Sequence, residues 1–178
     1  MPNISVNSLL TKKREAKKDF VKAFSLSAKK PLIGIFLDSE LPKKTEARLK
    51  TFLYGSGALD VSLVMLADSN LESIKNSDVK ILPYGRKNRQ ALLEAADMAL
   101  TFKFSDVEEM LLHGVVPIAP SRSELKNYDP NHETGNSFIY DKEDPWAIFA
   151  ALVRARETFR FSYDWKHIVS QGLDSVCN

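Results

Sequence analysis

Along residues 30 to 140 the apolar positions gather into short runs set apart by charged stretches. Leu32–Leu37 (LIGIFL) and Val61–Ala67 (VSLVMLA) are almost wholly apolar and too short for helices, so they predict strands buried on both faces. Val79–Leu82, Met98–Phe102 and Val115–Ile118 repeat the pattern, and Ser137–Tyr140 is a last short strand. Helical stretches fill the gaps: Lys43–Tyr54, broken by Gly55, Ser56 and Gly57, then a short one at Leu71–Asn76, then Lys87–Ala96. The clearest unit runs from Asp97 to Pro120. After its strand, Ser105 and Asp106 suit a helix N-cap, and Glu108 and Glu109 favour the positive end of the helix dipole. Met110, Leu111 and Leu112 carry the helix to His113, Gly114 closes it, and Pro120 ends the next strand. Six strands alternating with helices predict an α/β fold, a doubly wound parallel sheet forming a single domain over residues 1–178. Ligands of such sheets sit at the carboxyl ends of the strands, so chemistry is expected where Phe102 passes through Lys103, Phe104 and Ser105.

The flanks are helical. In Ser8–Phe24, Leu9, Leu10, Ala16, Phe20, Val21 and Phe24 share one side, while Lys12, Lys13, Arg14, Lys17, Lys18 and Lys22 take the rest. Such a basic helix suits nucleic acid or an anionic surface. It has no aromatic interleaving, and its charges are read as a solvated face. Beyond Pro120 come a helical turn at Ser121–Lys126 and a polar loop at Asn127–Asn136. Asp144 caps a helix with Pro145 at its first position and an apolar stripe of Trp146, Phe149, Ala150, Leu152 and Val153. A closing helix at Ser162–Leu173 docks Trp165, Ile168 and Val169; Trp146, Phe149, Phe159, Phe161 and Trp165 are all expected in the core.

Composition changes this picture little. A chain of 178 residues with 44% apolar and 27% charged residues is that of an ordinary globular protein, and a net charge of +2 argues neither for nor against a nucleic-acid partner; none is expected. Cys177, the one cysteine, excludes an internal disulfide and fits a reducing compartment. No apolar run approaches the ~20 residues of a membrane span. The amino terminus has its charge after the apolar pair, unlike a signal peptide, so the cytoplasm is the expected location. His113, His132 and His167 show no metal-ligand spacing, and no nucleophile elbow accompanies the serines. The turn after Leu32–Leu37 lacks Gly-x-Gly-x-x-Gly, which disfavours a dinucleotide cofactor; no cofactor and no metal are expected.

Four blocks carry a resemblance. Thr134–Val169 (TGNSFIYDKEDPWAIFAALVRARETFRFSYDWKHIV) is similar to the end of the C-terminal domain of bacterial glycogen and starch synthases, with its Thr-Gly-Asn-Gly-Phe stretch, Leu-x-Arg-Ala and Trp-containing last helix. Lys29–Phe36 (KKPLIGIF) resembles the Lys-Pro-Leu-Ile-Gly strand that opens that domain. Ala95–Leu100 (AADMAL) resembles its Gly-Ala-Asp-Met-Phe-Leu, and Gly114–Ile118 (GVVPI) its Gly-Thr-Ile-Pro-Ile. Order and spacing agree. The resemblance implies one Rossmann-like half of a two-domain glycosyltransferase, the half that holds the nucleotide-sugar donor.

Carried over residue by residue, the donor site is eroded. The family's diphosphate-binding Arg and Lys fall on Asp38 and Lys43. A carboxylate a few Å from a diphosphate costs ~1 to 4 kcal/mol where the Arg would stabilise it. The family's Gly-Ser-Gly loop is Ala67, Asp68 and Ser69. Its Arg-Phe-Glu-Pro-Cys-Gly-Leu segment is shortened: Lys103, Phe104 and Ser105 run straight into Asp106, without the glycine turn whose amides close on the sugar. Glu109 falls on the ribose-binding Glu, and Tyr84 where relatives place an aromatic near the base. Each has a plain reading beside it: Glu109 as a helix-start charge, Lys43 as a surface lysine, Tyr84 as edge packing. Ser105 with Asp106 suits an anion, against which Asp106 itself competes.

No catalytic residue is expected; the donor-binding candidates are Lys43, Tyr84, Ser105 and Glu109. The resemblance implies a half-domain, non-catalytic alone, that acts as a binding or partner protein for ADP-glucose, UDP-glucose, a glucan or another protein. The alternative is the donor-binding subunit of a split glucosyltransferase whose N-terminal half comes from a separate chain.

Overall fold

The computed structural model describes residues 5–37, 42–67, 79–102, 105–142 and 144–177. Six parallel strands form its sheet: β1 (Leu32–Phe36), β2 (Ser62–Ala67), β3 (Val79–Pro83), β4 (Met98–Leu100), β5 (Val116–Pro120) and β6 (Phe138–Tyr140). Their order across the sheet is β3-β2-β1-β4-β5-β6. The chain therefore winds outward from β1 in one direction and then returns to start again at β4, which puts the topological switch point between these two strands. The helices are α1 (Val6–Ala23), α2 (Lys43–Ser56), α3 (Arg86–Ala95), α4 (Val107–Leu112), α5 (Pro145–Phe159) and α6 (Ser162–Cys177).

The apolar strand runs are buried on both faces because each alternates between two cores. Ile33, Ile35, Leu63 and Met65 point to one layer, where Phe52 and Leu53 of α2, Leu152 of α5 and Trp165 of α6 meet them. Leu32, Val64 and Leu66 point to the other, against Phe20 and Val21 of α1 and Leu92 and Leu93 of α3. Burying one such side chain contributes roughly 1.5 to 3 kcal/mol, and only a sheet covered on both sides can bury both sets.

The boundaries differ in detail. β4 ends at Leu100, yet Thr101 and Phe102 stay buried, and the Tyr140 hydroxyl donates to the Thr101 carbonyl at 2.7 Å. β5 starts at Val116 and continues to Pro120, and α2 runs through Gly55 to Ser56. Ser121–Lys126 forms no helix; it holds a single turn in which the Leu125 N–H donates to the Arg122 carbonyl at 3.2 Å. Leu71–Asn76 lies outside the described residues, as do Asp38, Asp68, Ser69, Lys103 and Phe104. Asp144 caps α5 as expected, accepting from Trp146 and Ala147 N–H at 3.0 and 3.2 Å. Gly114 follows α4 with φ +65°, and a Cβ there would stand 2.9 Å from the Leu9 side chain.

Two expectations about the core fail. Trp146 is 81% exposed and Phe161 61%. The buried stripe of α5 is Ile148, Ala151, Leu152 and Ala155, rotated from the expected one; Phe149 and Val153 are half-buried and Ala150 is exposed. Trp146 stands in the first turn beyond the sheet edge, T-stacked on Phe149, and Phe161 sits in the α5–α6 junction.

The first helix is also more than a solvated face. Lys13 is buried, and its Nζ donates to the carbonyls of Leu93 and Glu94 at 3.1 and 3.3 Å, closing the carboxyl end of α3. Lys17 pairs with Asp97 at 2.5 Å. The Asp97 carboxylate, also buried, accepts the Leu32 N–H at 2.7 Å and so ties the entry of β4 to the first residue of β1.

Candidate functional site

The carboxyl edge beside the switch point is built by the helices that follow β3 and β4. α3 begins after the Tyr84–Gly85 turn, which the Asn88 amide closes by donating to the Pro83 carbonyl at 2.9 Å. α4 begins where Ser105 and Asp106 follow β4. There the Phe102 N–H donates to the Ser105 hydroxyl at 3.0 Å and the Ser105 N–H to the Phe102 carbonyl at 3.1 Å. The Asp106 carboxylate then accepts the Glu109 N–H at 3.1 Å, an N-cap that occupies one of the free amides of the first turn.

In this frame the Glu109 carboxylate meets Arg89 from the first turn of α3 through both guanidinium nitrogens, one at 2.8 Å to Oε1 and the other on Oε2. The fork-to-fork geometry is the strong form of this pair. The Arg89 bond, ahead of its bare charge, holds Glu109 below the usual carboxylate range. The same bond pushes Arg89 further up, and Tyr84 adds to the effect. Both side chains are nearly 30% exposed, at 28% and 29%, so solvent screens the pair and it contributes about 1 kcal/mol or less. His113 follows, its ring Nδ1 donating to the Glu109 carbonyl at 2.9 Å.

The four sequence-derived candidates thus separate. Tyr84, half-buried against the α1–α3 core, and Glu109 are joined through Arg89. Ser105 lies four residues before Glu109; its hydroxyl is engaged by its own turn, and its carbonyl accepts from Arg122 at 2.8 Å. Lys43 is exposed at the first position of α2, in the opposite helix layer, and no hydrogen bond or ion pair joins it to the other three among the described residues. Arg89 and Arg122 were missed. Neither sits in a motif, and each acquires its role only through partners 20 and 17 residues away. No group of three or more metal-ligating side chains occurs among the described residues. Nor is any helix among them long and apolar enough to cross a membrane.

No family model matches the chain. Among curated proteins it is 29% identical over 104 residues to a glycogen synthase of Gloeobacter violaceus, a match covering 53% of this chain and 23% of the relative. It is 34% identical over 65 residues to glycogen synthase 1 of a Synechocystis species, covering 34% and 14%. Among solved structures it is similar to a glycosyltransferase from Rickettsia africae, with a TM-score of 0.69 and 13% identity over 99% of this chain and 48% of that one. A UDP-GlcNAc 2-epimerase from Neisseria meningitidis, solved with UDP-GlcNAc bound, gives 0.59 and 12% over 96% and 50%. The chain spans about half the length of these structures, and the matched segments are 23% and 14% of the curated relatives. By sequence the chain is similar to part of these glycogen synthases, and by fold it shares the doubly wound parallel sheet of about half of the Rickettsia glycosyltransferase.

Proposed function

We propose that residues 1–178 form one glycogen-synthase C-terminal-like domain with an eroded nucleotide-sugar site. By itself it transfers no sugar and serves as a binding or partner protein in the cytoplasm. The observation that carries this reading is the Arg89–Glu109 pair: the carboxylate at the ribose position is already held, by both oxygens, by a cation of the same chain. Arg89 takes one acceptor site on each oxygen, so a ribose would have to share a carboxylate whose charge is already paired. The sequence adds Asp38 where relatives carry a diphosphate-binding Arg, and a direct run from Ser105 to Asp106 where they carry a glycine turn. Isothermal titration of the purified protein with ADP-glucose and UDP-glucose tests this. No saturable heat is expected up to about 1 mM ligand. Binding at tens of micromolar that Glu109→Ala abolishes would overturn it.

A second reading is supported by the match of nearly the whole chain to 48% of a glycosyltransferase. Here the protein is the donor-binding subunit of a split glucosyltransferase, completed by a separate N-terminal half. Glucose transfer from a nucleotide sugar to a glucan on mixing with such a half, and not without it, would select this reading.

A further inference from the structure

A cavity of about 340 Å³ opens at the other edge of the sheet, between α1 and α6, where Asp97 enters β4. Its volume is at the small end for ligand pockets, enough for a small metabolite but not a dinucleotide. Leu10, Phe159 and Trp165 supply apolar wall, with Ser162 at the start of α6. The charged lining is lopsided: Lys13, Arg14, Lys17, Lys18 and Lys166 face a single carboxylate, Asp97.

Two of the five cations are committed to the fold. Lys13 lies on the Leu93 and Glu94 carbonyls, and Lys17 lies on Asp97 with its Nζ 5.3 Å from the Phe159 ring centroid. That leaves Arg14, Lys18 and Lys166, which have no carboxylate partner among the described residues. Like charges gathered round a concave, partly apolar wall repel one another, and an anion relieves that repulsion. The apolar wall beside the cations, made by Leu10, Phe159 and the rim of the otherwise buried Trp165, suits the carbon part of such an anion.

We propose that this cavity binds a small phosphorylated ring compound, its phosphate held by Arg14, Lys18 and Lys166 and its ring along the apolar wall of Leu10, Phe159 and the rim of Trp165. The site is on the opposite sheet edge from Glu109, so it stands or falls independently of any donor binding there.

The chain has two tryptophans, so in a Trp146→Phe background the indole fluorescence reports Trp165 alone. Ribose 5-phosphate is expected to change that fluorescence saturably, and ribose is not. In Lys18→Gln/Lys166→Gln, half-saturation should move up by about tenfold, since removing one exposed and one half-buried cation weakens binding by that order. Both side chains lie outside the core, and circular dichroism melting checks that the variant stays folded. An equal response to ribose and ribose 5-phosphate would overturn the proposal. So would sulfate binding as tightly as ribose 5-phosphate, or an unchanged half-saturation in the folded double variant.

Discussion

Lys13 makes the alkaline stability of this protein depend on one buried amine. Burial, the largest effect, lowers its pKa from 10.5 to about 8; Lys17 lowers it further, while Asp97 and Glu94 act the other way. In the unfolded chain the same amine keeps its proton up to 10.5. Between these values the unfolded state therefore binds more protons than the folded one, and stability must rise with pH. The interval corresponds to about 3 kcal/mol, and because Lys13 is almost wholly buried no large reduction for solvent screening applies. Urea unfolding of wild type and Lys13→Met at intervals from about pH 7.5 to 10.5 isolates this from the other lysines and tyrosines. The variant loses the hydrogen bonds to Leu93 and Glu94, a deficit that is constant with pH. Wild type should gain on the variant by about 3 kcal/mol across the window, most of it between pH 8 and 10.5. Curves that stay parallel within about 0.5 kcal/mol would refute the reasoning, because they would mean that Lys13 stays charged in the fold.

Gly135→Ala should destabilise by roughly 3 kcal/mol or more, since φ is +111° and the new Cβ would stand 2.5 Å from the Asn127 carbonyl oxygen. Gly114→Ala meets a movable Leu9 side chain at φ +65° and should cost about 2 kcal/mol; thermal melts giving the reverse order would contradict the two geometries. Trp165→Ala, which empties a site stacked on Phe138 and edge-packed on Phe159, should cost about 3 to 5 kcal/mol. Trp146→Ala should stay within about 0.5 kcal/mol in the same denaturation assay. Arg89→Ala should let the Glu109 carboxyl titrate at higher pH, followed by carboxyl NMR, while costing about 1 kcal/mol or less; a Glu109 titration that does not move would remove the pair from the account.

What could be read in the sequence follows from which signals are local. The strands were legible because a run such as LIGIFL has no polar face to offer water, and only the interior of a two-layered sheet accepts it. Asp144 before Pro145 was legible because a cap acts within three residues. The stripe of α5 was not: Trp146, Phe149 and Leu152 are apolar at helical spacing, yet the buried set is Ile148, Ala151, Leu152 and Ala155. One residue of rotation turns a helix by about 100°, so where an apolar helix faces depends on α2 and the sheet, not on its own pattern.

Charge placement was the least legible, and function depends on it most. Among six basic residues of α1 nothing local marks Lys13 and Lys17, whose partners lie about 80 residues away across the sheet edge. Glu109 was singled out through the resemblance, but Arg89 has no local mark, and their meeting requires the crossovers that set α3 beside α4. The two edges of the sheet consequently differ in how their charges are paired. At the carboxyl edge the candidate carboxylate, Glu109, is engaged by an internal arginine. At the amino edge one carboxylate faces five cations, and Lys13 and Lys17 are the two that the fold itself engages. Of the cations lining that concave wall, Arg14, Lys18 and Lys166 are the ones left to meet an anion, which is the ligand chemistry proposed for it.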